Sequence, residues 1–258
     1  MKEKIFKKKK INEVVLKNRF VVSPMCQYSS RNGSPASWHY KHLENLASSG
    51  AGLLMIEATA VEKRGKITHF DMCLENNTQF KSLKKLVQHI QKISDIKIGL
   101  QISHSGRKGS TELPWVKPNL TLKKKLWKTI SSSSIKRESN WPYPKEMNDK
   151  DIKTVKQKFV NSSRLAKKLN IDCLELHMAH GYLLHQFFSP ISNKRHDKYG
   201  GNLNNRCRFL LEVAQLVRKN WPKNKILGAR ITGKDWIKNG LNLRDSIYLT
   251  KKLKKIGF

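Results

Sequence analysis

Acidic residues are scarce in this 258-residue chain: 19 Asp and Glu stand against 52 basic residues, a formal charge of +33. No run of about 18 or more apolar residues occurs, so no segment reads as a membrane span and no membrane partner is expected. The four cysteines (Cys26, Cys73, Cys173, Cys207) are scattered, with no Cys-x-x-Cys pair. That argues against a disulfide framework or a zinc site and for a reducing, cytoplasmic setting. The basic stretch 1–10 is followed by neither an apolar core nor a small-residue cleavage site, which argues against a secretory signal. Arginine is also scarce, since 40 of the 52 basic residues are Lys. Lys clusters at 7–10 and 123–125 lack the interleaved aromatics of a single-strand binding platform. No helix-turn-helix, zinc-finger or RNA-binding signature appears. No specific nucleic-acid partner is expected, although incidental RNA binding at low salt is physically reasonable.

What is present is an alternation of strand and helix signals. Apolar runs at 20–24, 52–58, 97–102, 171–176 and 225–231 read as strands. Helical spacing at 37–48, 78–93, about 150–169 (capped by Asn148 or Asp149), 205–219 and 243–255 reads as the helices between and after them. Near-continuous apolar strands joined through long helices predict right-handed β-α-β units and a parallel sheet covered on both faces. Residues 4–6 and 14–16, around Asn12-Glu13, predict an N-terminal hairpin. Residues 110–147, rich in Ser, Lys and Pro, predict a long loop over the strand ends. The expectation is an α/β barrel of the eight-unit type with about five units counted, hence a partial, open barrel that stops before a sixth strand.

Polar side chains close every predicted strand: Ser23, Cys26 and Tyr28 after the first, Glu57 and Thr59 at the second, and Gln101 and His104 at the third. His177, His180 and Tyr182 close the fourth, and Arg230 lies on the fifth. In a parallel barrel these ends converge on one mouth. A Gln amide and a fixed Arg charge suit a flat heterocycle with an amide-like edge better than a metal or a sugar. Bland readings stand beside each residue. A His pair three apart, with His185 nearby, could hold a metal, but no carboxylate stands at metal-site spacing and no metal is expected. Tyr182 could be a packed aromatic, Cys26 a small buried hydrophobe, and Gln101 and Arg230 partners for polar groups of the barrel interior.

The order of motifs resembles the Old Yellow Enzyme family of FMN-dependent NAD(P)H oxidoreductases, in its bacterial branch with a cysteine by the flavin. The motifs are Leu16-Lys17-Asn18-Arg19, Ser23-Pro24-Met25-Cys26-Gln27-Tyr28, Glu57-Ala58-Thr59-Ala60-Val61, Gln101-Ile102-Ser103-His104-Ser105-Gly106-Arg107-Lys108, His177-Met178-Ala179-His180-Gly181-Tyr182, and the long run 189–209. The resemblance implies a single FMN-binding NADH:flavin oxidoreductase-type TIM-barrel domain over 1–258, truncated before strand 6. It implies that Ser23, Pro24, Met25 and Cys26 line the flavin, that Ala58 packs on its ring, and that Gln101 and Arg230 meet its pyrimidine edge. Tyr28, His177 and His180 would contact substrate, and Tyr182 would protonate carbon. NADPH or NADH would reduce FMN, which then reduces an activated alkene. A catalytically weak or inactive truncated remnant, or one half of a split enzyme, is the alternative; a homo-oligomer or a complementary C-terminal fragment is the candidate protein partner. Two departures from the family pattern are expected to matter. Met178 would crowd the site, and Asn202, with Asn204, would weaken a helix cap.

Overall fold

The computed structural model describes residues 2–118 and 120–258; Met1 and Asn119, the latter inside the 110–147 loop, lie outside the described residues. A short helix α1 (Lys2–Phe6) precedes a hairpin of β1 (Lys9–Ile11) and β2 (Val14–Leu16), then β3 (Val21–Val22). There follow α2 (Ser37–Ala47), β4 (Leu53–Ala60), α3 (Asn77–Ile93), β5 (Lys97–Ser103), the two-residue strands β6 (Ile130–Ser131) and β7 (Lys145–Glu146), and α4 (Asp149–Lys167). The chain continues through β8 (Cys173–Met178), α5 (Leu183–Phe188), α6 (Leu203–Asn220), β9 (Ile226–Ile231) and α7 (Leu243–Ile256). The hairpin differs from expectation in its first strand. Residues 4–6 are helical, and Lys9–Ile11 pairs antiparallel with Val14–Leu16 across the turn at Asn12, which takes a positive φ of 52°.

Five strands form one parallel sheet in the order β3-β4-β5-β8-β9. Sequential neighbours and helical crossovers curl such a sheet into part of a barrel wall. Alternation along each strand sends one residue set outward to the helices and the other inward. Leu54, Ile56, Ile98, Leu100, Leu174 and Leu176 go outward and pack with Leu86, Ile90, Phe159 and Val213 of α3, α4 and α6, all fully buried. The inward set begins at the bottom with Leu53, Met55 and Cys173, closed from below by Val14 and Leu16 of the hairpin. Gly99 lies in this layer because Met55 fills its space: a Cβ at Gly99 would stand 2.2 Å from the Met55 sulfur.

Helix starts follow local chemistry. Asn76 and Asn148 cap α3 and α4, accepting from the backbone N–H of Gln79 (3.0 Å) and Asp151 (2.9 Å). Asn242 caps α7, which stops at Gly257 with φ 99°. Asn202 does not weaken α6: its carboxamide oxygen accepts from Asn205 N–H at 3.0 Å, and Asn is among the best N-cap residues. No described helix is long and apolar enough to cross a membrane.

Candidate active site

The polar mouth begins where β4 leaves regular pairing. Ile56 pairs with Leu100 but Thr59 with Ile102, so Glu57 and Ala58 together oppose Gln101. This is a β-bulge, a device that re-aims side chains. Glu57 is buried; it accepts from Gln27 N–H at 2.9 Å and meets His39 Nε2 at 3.0 Å. His39 Nδ1 accepts from Ala36 N–H at 3.0 Å, which fixes the ring beside the carboxylate. Glu57 thereby ties segment 23–28 to the barrel wall. Ala58 is buried without bulk. Ser23 and Met25 line a separate crevice with His42, Leu43 and Leu46 of α2.

Gln101 and Glu175 face each other across β5 and β8, and Gln101 Nε2 donates to Glu175 Oε1 at 2.6 Å. Burial pushes the Glu175 carboxyl up, opposed by that hydrogen bond and by Arg230. The bond fixes the Gln101 amide, leaving its carbonyl oxygen and second N–H for another partner. Two residues farther along, and so on the same face, His177 of β8 pairs with Arg230 of β9.

His177, His180 and Tyr182 pack as a cluster, with His177 ring centroids 5.0 Å from His180 and 4.6 Å from Tyr182. Ala179 N–H donates to His177 Nδ1 (3.2 Å), so the His177 proton lies on Nε2 and is given to His180 Nδ1 at 3.2 Å. His180 in turn carries its proton on Nε2. The pair thus forms a relay of neutral donors that ends in an outward N–H. Burial first, then the charges of His180 and Arg230, holds His177 down to about 3, and burial and Arg230 lower His180 as well. Burial raises the Tyr182 and Tyr28 phenols, so both stay protonated. Burial, followed by Asp71 and Glu57, raises the Cys26 thiol, which therefore stands as neutral S–H.

Met178 does not crowd this cluster. It is fully buried on the opposite face of β8, within the sheet–helix core. Strand alternation separates it from His177. His185 turns to local partners. Its Nδ1 accepts from Gly181 N–H (2.6 Å) and its Nε2 meets Asp235 at 3.0 Å, fastening the 180–182 turn. Among the described residues, no three His, Cys, Asp or Glu side chains gather as a metal-holding group.

Tyr28, His180 and Tyr182 share a cavity of about 280 Å³ with Ile67, Lys108, Thr111, Glu112, Pro114, Pro118 and Arg137. Loop 110–147 therefore walls the same space as the strand ends. Gln101, Glu175 and Arg230 lie below it on the inner face. Sequence reasoning missed Glu175, although it stands two residues before His177 and so on the same strand face. It also missed His39 and Asp235, which no local signal marks, and Lys108 as a cavity residue.

Comparison with known proteins converges on one group. Residues 4–257 match the NADH:flavin oxidoreductase / NADH oxidase family. An NADH:flavin oxidoreductase of Gibberella zeae is 38% identical over 247 residues, covering 94% of this chain and 60% of that protein. An NADPH dehydrogenase of Listeria monocytogenes is 37% identical over 256 residues, covering 98% of this chain and 71% of the relative. The chain thus spans about 60–71% of the length of these relatives. The crystal structure of Old Yellow Enzyme from Pichia sp. superposes with a TM-score of 0.81 at 25% identity, over 98% of this chain and 66% of the other.

Proposed function

The chain belongs to the NADH:flavin oxidoreductase / NADH oxidase family, and on that premise we propose that it is a cytoplasmic FMN-dependent NAD(P)H oxidoreductase that reduces activated C=C bonds. Residues 1–258 would form one FMN-binding domain of the TIM-barrel type. The observation that carries the reading is the convergence of a two-imidazole donor relay and a protonated phenol on one cavity above an amide and an arginine.

The donor set fits a flavin. Gln101, clamped by Glu175, offers one acceptor and one donor to an imide edge. Arg230 supplies fixed positive charge beside it, and Ala58 leaves the bulge without a side chain in the way. When bound, FMN supplies hydride relay from NAD(P)H to the alkene. His180, polarised through His177, would donate to the carbonyl or nitro oxygen of the substrate, and stabilising that developing charge is what preorganised donors do. Tyr182 would give its proton to the carbon opposite hydride delivery. Tyr28, edge-on to Trp115 at 5.8 Å, would bound the substrate. Ser23, Pro24, Met25 and Cys26 would run beside the ring, mainly through backbone. The reading of a weak remnant or split half has less support, since the cluster keeps its hydrogen bonds and its tie to Asp235.

The test separates the two half-reactions under anaerobic conditions. Reconstituted with FMN, the protein is expected to bleach on addition of NADPH and to recolour on addition of cyclohexenone. Tyr182→Phe is expected to bleach at the wild-type rate and to recolour about 10²–10⁴-fold more slowly. A protein that takes up no FMN, or a Tyr182→Phe variant that recolours at full rate, overturns the assignment.

A further inference from the structure

One cation in the cavity has no use in hydride or proton transfer. Lys108 follows β5 at the end of the turn Gly106–Lys108 and lies half-buried beside the 180–182 turn. Its ammonium donates to the His180 carbonyl oxygen at 2.6 Å and sits 6.0 Å over the Tyr182 ring. Gly181 makes room for it: φ there is +69°, and a Cβ would stand 3.0 Å from Lys108 Cε and Nζ. Backbone and ring therefore hold the side chain in place, and only one of its three N–H donors is spent on the carbonyl.

Its counter-charge is missing. Among the described residues, no carboxylate lies within ion-pair distance of Lys108. Arg137, in the same cavity, pairs with Glu138 at 3.3 Å and stacks on Trp141. Arg107 is turned to the carbonyls of Ile135 and Lys136. Glu112 is the acidic residue of the lining, beside neutral His180, Tyr28 and Tyr182. Burial first, then Arg137 and Arg107, pushes the Lys108 ammonium down to about 8, with Glu138 opposing.

We propose that Lys108 is an anion-recognition residue that selects alkenes carrying a carboxylate, which it seats while the carbonyl of the same molecule lies at His180. The inference rests on the reductase reading and adds the substrate's second functional group. A partly desolvated ammonium with two donors free favours a carboxylate over its neutral ester by about tenfold or more. The preference holds below about pH 8, where Lys108 is charged, and fades above it.

The test uses (3-oxocyclohex-1-enyl)acetate and its methyl ester, each measured by calorimetric binding and by turnover. Wild type is expected to bind the acid at least tenfold more tightly at pH 7 and to lose that ratio by pH 9.5. Lys108→Met is expected to bring the ratio close to one. Lys108→Arg is expected to keep it at both pH values, since guanidinium stays charged. Equal affinities in wild type, or a ratio unchanged in Lys108→Met, overturns the inference. A higher KM for NADPH in Lys108→Met with the acid-to-ester ratio intact also overturns it, placing a dinucleotide phosphate there instead. Lys108-dependent binding of the acid without reduction of either compound keeps the subsite and removes the reductase reading. Reduction of both at equal KM does the reverse.

Discussion

At the scale of single residues, protonation state decides what the mouth can do. His177 has the proton relay to His180 only as a neutral ring, and burial among His180 and Arg230 enforces that state. The consequence for stability has a definite sign. The unfolded chain takes up a proton at His177 near pH 6.5, whereas the folded chain resists until about 3. Between those values the unfolded state binds more protons, so the stability present above pH 6.5 falls as pH falls. From pH 6.5 to 4.5 this single group should remove roughly 2–3 kcal/mol. Urea melts of wild type and His177→Gln over that window test it: the variant should show the shallower loss, and parallel curves would refute the assignment. Cys26 follows the same logic in reverse, since burial and two carboxylates keep it a thiol. Its contribution beside a flavin would be that of a polarisable neutral group.

At the scale of elements, the site is held by ties between segments far apart in sequence. Arg195, after α5, is buried; it pairs with Asp197 and donates to the carbonyls of Ser132 (2.9 Å) and Met147 (2.8 Å) at the end of the long loop. Asn193 donates to both Phe187 (2.6 Å) and Tyr199 (2.8 Å) carbonyls. The 189–209 motif is therefore a clasp joining α5, the start of α6 and loop 110–147, which walls the cavity. Arg195→Ala leaves those carbonyls buried without donors and should cost about 3 kcal/mol. Thermal or urea unfolding gives that loss directly; a variant within ~0.5 kcal/mol of wild type would mean that the clasp is not structural. His185 acts likewise at shorter range, bracing the turn that carries His180 and Tyr182 between α5 and Asp235.

At the scale of the whole molecule, protection is graded across the sheet. β4, β5 and β8 have strand neighbours on both sides and helices over their outer face, whereas β3 is two residues long and β9 is half-exposed along most of its length. Amide exchange tracks local opening, which is easiest where buried apolar contacts are few. Amides of β4, β5 and β8 should therefore exchange slowest. Those of β9 that bond to β8 should exchange measurably faster, and equal protection across all five strands would contradict this account. Apart from buried Lys66 and half-buried Lys108, most of the lysine surplus lies on exposed helix faces and loops, which is why so uneven a charge coexists with an ordinary α/β core.

The fold and the core of the site were legible in the sequence for a common reason. Apolar runs of strand length, helical spacing and Asn caps are local signals, and a parallel barrel brings its strand ends together whatever their separation along the chain. Gln101, His177, His180, Tyr182 and Arg230 could thus be assigned to one mouth from order alone. What the tertiary structure decided was which face each neighbour takes and who holds whom. Strand alternation removes Met178 from the site, and Asn202 caps a helix it was expected to weaken. The pairings of Glu175 with Gln101, Glu57 with His39, and His185 with Asp235 span 18 to 74 residues. Lys108 becomes a cavity residue only because Gly181, 73 positions on, leaves space for its ammonium. Such contacts depend on packing across elements, which no local pattern in the chain encodes.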